Sequence, residues 1–483
     1  MEELLEIGKK AINHAKELGT DEAEIFLYGQ NLTSVKFASG IFASRGGAVK
    51  GIKGAFVRMA EPWIKKKGLP MITSGIKAGV GVRAVIKKAI GFASVSSLEE
   101  NKVLAAVEEA TKIARIRPPD PNWAYLPEAK EPKGRSGIFD KRISELGVEE
   151  ILDLCADCCV TMGDHDKKIT QAIAMLSAAH GSFAVVNTNG ISVSDHGTTF
   201  VAYFGAKAKS GSEEVSSSDF LSCRAFTENL QSTALNTSKR AIECFGKRSL
   251  HEKYVGPVLF ENMSWSELFS RIFTYGISAS NVQENRSVYK GKIGERVANE
   301  AVSIVDDGTM PEGFGTAKID DEGFPKKKTA IIEKGVLVDI LYDNYAAKRD
   351  KCESTGNASR QGWVAPPYAN QPVIKPSNLM LIPCKGKLEE LVSEMKDGVL
   401  LKGSLIGAHH SNAMTGDFSV TAENAFRIED GEVKYPLKAC TVAGNLYTAL
   451  GSVKAIGNDV RDFGFLGNTI CPSLVIDKIV VSA

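Results

Sequence analysis

The 483-residue sequence has almost no excess of charge, since its formal net charge at pH 7 is only +1. Recognition of nucleic acid or of an anionic membrane through an overall basic surface is therefore excluded as a general property of the chain. No apolar run approaches the roughly 20 residues that a membrane-spanning helix requires. The first residues alternate charged and apolar side chains, which is unlike an export signal. These absences predict a cytoplasmic protein without a membrane partner.

The nine cysteines lack the spacing of a small disulfide framework, which favours reduced thiols in a reducing compartment. Cys155, Cys158 and Cys159 have the spacing of half a zinc site or of a redox pair. They lie in an apolar helical run without a second cysteine pair nearby, so we expect buried thiols. The sequence contains neither a Gly-x-Ser-x-Gly nucleophile motif nor a phosphate-binding P-loop motif.

Length and pattern predict two domains of the α+β class. A single core would be unusually large for 483 residues, and we place the domains at residues 1–250 and 251–483. In the first domain, helical patterns flank short alternating segments between residues 169 and 204, which indicate an antiparallel sheet. In the second domain, turn residues around Gly335 and Gly431 indicate hairpins and a strand-rich fold.

Four short motifs follow one another near the C-terminus. Thr415-Gly416-Asp417 is a tight-turn tripeptide, and Asp430-Gly431 favours a type I′ hairpin turn. Ala443-Gly444-Asn445 leads into residues 446–453, whose apolar positions have helical spacing. Gly457-Asn458-Asp459 then supplies a glycine that we expect to end this helix.

In this order the motifs resemble the C-terminal signature of the TldD/PmbA family, and the resemblance extends over nearly the whole chain. The resemblance implies two types of subunit. TldD-type subunits carry a His-Glu-x-x-x-His motif in which the histidines bind zinc and the glutamate activates water. TldE subunits, also called PmbA, lack this motif and assemble with TldD-type subunits.

The segment that corresponds to the zinc motif follows a predicted strand at residues 257–260. By alignment, Phe269, Ser270 and Thr274 occupy the two histidine positions and the glutamate position. A shifted alignment does not restore the motif, because no histidine occurs from Glu252 to Ala408. Since an aromatic ring and hydroxyl groups are poor substitutes for imidazole, we expect no metal site and no cofactor in this chain.

Two further groups of charged residues are expected in solvated loops or turns. Residues 43–75 depart from the family pattern and are rich in lysine and arginine, which predicts an inserted, solvated basic loop. A contact surface for RNA, an acidic peptide or a partner is the alternative. Acidic residues at positions 306, 307, 320 and 321 lack calcium-loop spacing and are expected in solvated turns.

The sequence therefore predicts a TldE/PmbA-like subunit that pairs with a zinc-bearing TldD-type subunit, or with itself, and forms part of a peptide-binding cleft. Exposed backbone in residues 407–417 is expected to hold an extended peptide by strand addition. The candidate cleft residues are Gly407, His409, His410, Thr415, Gly416 and Asp417.

Two alternatives stay open. One is a self-sufficient metallo-hydrolase with a relocated site at His409 and His410, joined by Cys440 or Cys471. The other is a regulator without proteolytic activity that binds peptides or nucleic acid, although nucleic acid is not the expected partner.

Overall fold

The structure is a computed structural model that describes residues 1–39, 68–132, 138–362, 365–384, 386–422 and 424–482. No helix in these residues is long and apolar enough to cross a membrane. The α-helices are α1 (Glu2–Glu17), α2 (Glu100–Ile116), α3 (Lys141–Glu145), α4 (Val148–Asp164), α5 (Leu230–Glu243), α6 (Asn262–Leu268), α7 (Thr274–Gly276), α8 (Ala279–Gln283), α9 (Asn344–Arg349), α10 (Leu388–Glu394), α11 (Leu446–Gly451) and α12 (Gly464–Gly467).

Most of the remaining regular structure is β-strand. The strands are β1 (Glu22–Ser39), β2 (Gly68–Ile86), β3 (Ala89–Val95), β4 (Ile169–Asn187), β5 (Ser192–Ser210), β6 (Glu213–Cys223), β7 (Tyr254–Phe260), β8 (Ile304–Asp307), β9 (Lys328–Glu333), β10 (Val336–Leu337), β11 (Ala358–Ser359), β12 (Val373–Ile374), β13 (Leu379–Leu381), β14 (Asp397–Leu401), β15 (Leu405–Ile406), β16 (Asp417–Ala422), β17 (Ala425–Glu429), β18 (Glu432–Leu437), β19 (Cys440–Asn445), β20 (Val453–Ile456), β21 (Arg461–Phe463), β22 (Thr469–Cys471) and β23 (Leu474–Ser482).

The first part of the chain forms one six-stranded antiparallel sheet in the order β3-β2-β1-β4-β5-β6. Side chains alternate between the two faces of a strand, and β1 shows this clearly. Ile25 and Leu27 pack against α1 and α2, whereas Val35 and Phe37, on the same face further along, pack against α4. Phe26 points to the opposite face and contacts Tyr368 from the second half of the chain. The helices therefore cover one face of the sheet, and the second half covers part of the other.

The strands of this sheet are much longer than the short segments that the sequence predicted. β4 and β5 have 19 residues each and pair along nearly their whole lengths. The middle of β4 is rich in alanine, glycine and serine, which have little intrinsic strand preference, so tertiary pairing decides its conformation. The turn that joins β4 to β5 contains Asn189-Gly190, with Gly190 at a φ of +93°.

The second part forms a nine-stranded sheet, a six-stranded sheet and a two-stranded ribbon, all from residues 254–482. The large sheet runs β15-β16-β19-β23-β7-β14-β17-β18, with β20 paired to β23. The hairpin at Asp430-Gly431 is confirmed, because both residues have positive φ values of 52° and 76° as a type I′ turn requires. Lys334 and Gly335 turn the β9-β10 hairpin in the same way. The α+β class is confirmed.

Two local predictions are wrong. The helix of residues 446–453 ends at Gly451, and Val453 begins β20 instead of extending the helix to Gly457. The spacing of the apolar residues does not distinguish a longer helix from a short helix followed by a strand. The pairing of β20 with β23 provides hydrogen-bond partners for the backbone after Gly451. Residues 68–75 of the predicted basic loop form the first part of β2, paired with β1. Residues 43–67 of that loop lie outside the described residues.

Candidate functional site

A cleft of about 800 Å³ lies between the first sheet and the second half of the chain. Its walls come from several parts of the second half and, in the first half, from the end of β2, the start of β3 and the segment that follows α2. The most prominent wall is the helix formed by residues 262–276, which we call the cleft helix. The loop of residues 361–376 forms a second wall, of which 361, 362 and 371–376 line the cleft. Further walls are α12 with its Phe465, Leu466 and Gly467, the start of α9 with Asp343 and Tyr345, and the α8 region with Ser278, Ser280 and Asn281.

The start of the cleft helix is held by residues from distant parts of the chain. Asn262 donates from its backbone nitrogen to Ser473 Oγ at 3.1 Å and from Nδ2 to the Asp459 carbonyl oxygen at 3.0 Å. Ser473 in turn donates from Oγ to the Asp459 carboxylate at 2.6 Å. The preceding Glu261 accepts from Arg240 Nη2 at 2.6 Å, which ties this point to α5. The Asp459 of the Gly-Asn-Asp motif thus fixes the entry of the cleft helix.

The middle of the cleft helix is a π-helical segment, Phe269–Phe273. Such segments insert an extra residue into a turn and are frequent at functional sites. Phe269 is fully buried, and its ring stacks at 5.7 Å on Trp265 and at 4.8 Å on Phe273. Ser270 and Thr274, in contrast, line the cleft. Of the three positions assigned to the zinc motif, two therefore lie at the cleft and one lies in the core.

The geometry favours an alignment of the motif that is shifted by one residue. Ser270, Arg271 and Tyr275 would then stand at the first histidine, the glutamate and the second histidine, and all three line the cleft. Neither alignment supplies an imidazole or a carboxylate. Among the described residues, no group of three or more histidine, cysteine, aspartate or glutamate side chains is arranged to hold a metal ion. The donor set at this helix does not fit zinc.

The hydroxyl groups of Ser270 and Thr274 are bound to the backbone of the cleft helix itself. Thr274 Oγ1 donates to the Ser270 carbonyl oxygen, and Ser270 Oγ donates to the Glu267 carbonyl oxygen at 3.2 Å. Their oxygens remain free to accept hydrogen bonds from a ligand. Gly467 of α12 comes so close that a Cβ there would lie 2.7 Å from Ser270 Cβ, and its φ is +142°. Glycine at position 467 therefore permits the close approach of α12 to the cleft helix.

The six predicted cleft residues are grouped elsewhere, and none of them is among the described residues that line this cleft. Gly407 has a φ of +91° and leads into a short 3₁₀ helix with exposed His409 and His410, whose rings lie 3.9 Å apart. Thr415 Oγ1 donates to the Asp417 carboxylate at 2.7 Å across the positive-φ Gly416.

This turn is braced by the Ala-Gly-Asn motif. Asn445 Nδ2 donates to Asp417 Oδ1 at 2.9 Å and to the Thr415 carbonyl oxygen at 2.7 Å, and its Oδ1 caps α11 at Thr448. The hydrogen bonds from Asn445 and Thr415 lower the pKa of the Asp417 carboxyl. Tyr447 Oη lies 2.9 Å from the Ala413 carbonyl oxygen and 3.0 Å from that of Ile272. One side chain thus connects the turn to the cleft helix.

A buried cluster of charged residues, which the sequence analysis missed, joins the two halves beside the cleft. Arg83 Nη2 donates to Glu24 at 2.8 Å and to Glu322 at 2.7 Å, and fully buried Arg360 also pairs with Glu24. Arg83 itself lines the cleft. The sequence contains a signal for this cluster, because Glu24 and Arg83 each interrupt a strand segment that is otherwise apolar. A charged residue at such a position is expected to be buried with a partner of opposite charge.

The prediction of solvated turns for the acidic residues of the second half is wrong for two of the four. Asp306 and Asp320 are each 1% exposed. Asp306 accepts from the backbone nitrogens of Ser377 and Asn378 at 2.8 and 2.9 Å, and Asp320 accepts from three backbone nitrogens. Each carboxylate accepts hydrogen bonds from buried backbone nitrogens, which would otherwise lack an acceptor, and these bonds offset the cost of burying the carboxylate. Asp307 and Asp321 are partly exposed.

The predicted thiols are buried. Cys155, Cys158, Cys159, Cys440 and Cys471 are buried, and no described cysteine forms a disulfide. Burial raises the pKa of Cys158 and of Cys159 to about 12. Cys471 is fully enclosed, and burial raises its pKa well above the ordinary thiol value. Thiolates at these positions are therefore disfavoured at neutral pH.

Comparisons with known proteins agree on one family. Models of three PmbA/TldA metallopeptidase domains match the chain: domain 1 over residues 65–114, the central domain over residues 141–245 and the C-terminal domain over residues 252–483. A Methanocaldococcus jannaschii protein described as uncharacterized is 30% identical over 421 residues, which cover 86% of this chain and 92% of that protein. A metalloprotease of the same organism is 28% identical over 418 residues, covering 84% of this chain and 88% of that protein.

A solved structure shows the same fold. TldE from Thermococcus kodakarensis has a TM-score of 0.85 to this chain at 24% sequence identity. The match covers 99% of this chain and 100% of that chain.

Proposed function

The chain belongs to the PmbA/TldD metallopeptidase family, and we propose that it is a TldE/PmbA-like subunit without a metal centre of its own, which binds peptides and works with a zinc-bearing TldD-type partner. The observation that carries the proposal is the chemistry of the cleft helix. Its cleft-facing side chains are Ser270, Arg271, Thr274 and Tyr275. None of them is a good zinc ligand or a general base at neutral pH.

The cleft has the size and lining of a peptide site. Its volume of about 800 Å³ lies in the range of ligand pockets, and its wall mixes apolar residues with polar groups. The aromatic rings of Trp123 and Tyr345 lie on one side, and the hydroxyl groups of the cleft helix lie on another. A peptide backbone offers both donors and acceptors, which such hydroxyl and amide groups can pair. In the proposed complex this chain contributes a wall of the peptide path, and the partner contributes the zinc.

A relocated metal site gains no support from the described residues. His409 and His410 are adjacent and exposed, but no third metal-binding side chain joins them in the part of the chain that the structure describes. Cys440 and Cys471 are buried thiols. The paired subunit is therefore the better proposal.

The experiment compares the purified chain, a TldD-type partner from the same organism, and their mixture. We expect the chain alone to hold much less than one zinc per molecule and to leave an unfolded peptide intact. The mixture should form a larger species by light scattering and should cleave the peptide in a chelator-sensitive reaction. Gln371→Trp, which narrows the cleft from an exposed position, should reduce cleavage by the mixture, whereas exposed Lys396→Trp outside the cleft should not.

Two results would reject this proposal. One is a tightly held zinc in the chain alone, together with chelator-sensitive cleavage. The other is failure of the chain to associate with the partner under conditions in which the partner is folded.

A further inference from the structure

One wall of the cleft carries an arginine whose hydrogen-bonding capacity is only partly used. Arg83 lies on β2 opposite Glu24 of β1, is 5% exposed and lines the cleft. Its Nη2 donates to Glu24 at 2.8 Å and to Glu322 at 2.7 Å. Its Nε is buried without an acceptor, whereas Nη1 is accessible and makes no hydrogen bond within the described residues. Arg83 therefore meets the cleft through the unused donors of Nη1.

The guanidinium group is held in a fixed position by its neighbours. Both oxygens of Glu322 are occupied, since Oε1 accepts from Arg83 and Oε2 accepts from the Asn344 backbone nitrogen at 3.0 Å. The Arg83 Cζ atom lies 5.5 Å from the centre of the Trp123 ring, and Trp123 Nε1 donates to Glu22 at 2.8 Å. A ligand that binds to Nη1 therefore does not have to order this long side chain first.

The charges around Arg83 favour an uncharged acceptor over an anion. Arg83 and Arg360 are already balanced by Glu24 and Glu322. Asp343 also lines the cleft, and burial and the charge of Glu322 raise its pKa to about 7, an effect that Arg83 offsets only in part. An additional anion beside these carboxylates would meet the same repulsion. A carbonyl oxygen, in contrast, accepts from a guanidinium group without adding charge.

We propose that Arg83 is a specificity-determining residue of the cleft, which binds an uncharged amide carbonyl of the ligand through Nη1 and disfavours a carboxylate at the same position. The inference rests on the proposed peptide-binding function. It adds the residue that recognises one carbonyl group and the charge that this position accepts. Main-chain amides and the side chains of asparagine and glutamine both supply such a carbonyl.

Calorimetric titration of the full chain with blocked peptides tests this inference. The first probes are acetyl-tetra-alanine amide and the forms in which one carbonyl oxygen at a time is replaced by sulfur, a weaker acceptor. The second probes carry glutamine or glutamate in place of one alanine at each position in turn. The two sets distinguish a main-chain carbonyl from a side-chain carbonyl.

Arg83→Lys separates recognition of the ligand from the pairing that joins the halves. The lysine ammonium group keeps a positive charge for Glu24 and Glu322 but lacks Nε and Nη1. If this variant is unstable, the double change Arg83→Met with Glu322→Gln takes its place, because it leaves the buried Arg360–Glu24 pair balanced.

Arg115→Lys is the matched control. Arg115 is exposed, donates to the Leu18 carbonyl oxygen at 2.6 Å and is not among the described residues that line the cleft. Thermal melting followed by circular dichroism establishes that each variant is folded.

For the wild-type chain and the control we expect sulfur at one position to weaken binding by about fivefold or more, the effect of weakening a hydrogen bond to a charged donor. In Arg83→Lys the same replacement should change binding by less than about twofold. If the carbonyl belongs to a side chain, glutamine at one position should instead strengthen binding to the wild type. Glutamate there should bind about tenfold more weakly than glutamine, and Arg83→Lys should lose the gain from glutamine.

Each other outcome decides a separate question. Sulfur and glutamine effects that are absent, or equal in the wild type and Arg83→Lys, would overturn the inference and leave the peptide cleft intact. A preference for glutamate over glutamine that Arg83→Lys abolishes would also overturn it, because an anion then binds at Arg83. Failure of every probe to bind, to the chain alone or to the complex, would reject the proposed function and the inference with it.

Discussion

Replacement of Arg360 by methionine is the sharpest test of how the two halves of the chain are joined. The guanidinium group is fully buried and pairs with Glu24 of β1. It also donates from Nη1 to the Asn370 carbonyl oxygen at 2.8 Å, in the loop that walls the cleft, and lies 4.9 Å from the Phe26 ring centre. Methionine retains much of the apolar volume but removes every one of these polar contacts.

The expected loss of stability in the Arg360 and Glu24 variants follows from the balance of charges in the buried cluster. Arg83, Arg360, Glu24 and Glu322 form two cations and two anions. Arg360→Met leaves one buried carboxylate in excess, and Glu24→Gln leaves one guanidinium in excess. Loss of one partner of a buried pair typically costs about 3–5 kcal/mol. The double variant keeps the balanced Arg83–Glu322 pair, so it should cost at least about 2 kcal/mol less than the sum of the two single changes.

The assay is denaturant unfolding of the four chains, followed by tryptophan fluorescence and near-ultraviolet circular dichroism. Lys102→Met is the control, because Lys102 forms an exposed ion pair with Glu99 and should change stability by less than about 1 kcal/mol. If the two single changes add in the double variant, or if Arg360→Met behaves like the control, the argument that this cluster joins the halves is refuted.

Three further predictions concern local features. Gly431→Ala should destabilise the chain by at least about 1 kcal/mol more than Gly211→Ala. Both glycines have positive φ, but only at position 431 would a Cβ lie 2.7 Å from a main-chain oxygen. Equal melting temperatures of the two variants would contradict this. Burial raises the pKa of Asp462 to about 6, so between about pH 4 and pH 6 the folded chain keeps a proton that the unfolded chain has released. The free energy of unfolding of the wild type should therefore fall by up to about 3 kcal/mol, relative to that of Asp462→Asn, as the pH rises from about 4 to 7. Parallel curves of stability against pH for the two chains would contradict this. Mass-spectrometric mapping after brief treatment with a maleimide should find exposed Cys384 modified and buried Cys158 unmodified; rapid modification of Cys158 would show that α4 opens in the native state.

The family motifs act chiefly as supports around the cleft helix. Asp459 holds its first residue through Ser473 and the Asn262 amide. Asn445 binds the Thr-Gly-Asp turn and caps α11, whose Tyr447 reaches the Ile272 carbonyl oxygen. These contacts give the motifs a structural role that does not depend on zinc, because the contacts determine where the cleft helix lies.

The sequence by itself determined the features that depend on neighbouring residues. The turn at Asp430-Gly431, the α+β class and the lack of imidazole at the cleft helix follow from backbone preferences and from the absence of histidine in residues 252–408. The family motifs added the expected architecture.

Only the tertiary structure decided which of these residues meet. It placed Phe269 in the core while Ser270 and Arg271 face the cleft, because a π-helical segment changes the face that each position presents. It ended the helix at Gly451, since β20 finds a partner strand in β23. It also brought Glu24 into contact with Arg360, although the two residues are 336 positions apart. No local sequence pattern predicts this pair, because it forms only where the two halves of the chain pack together and exclude water.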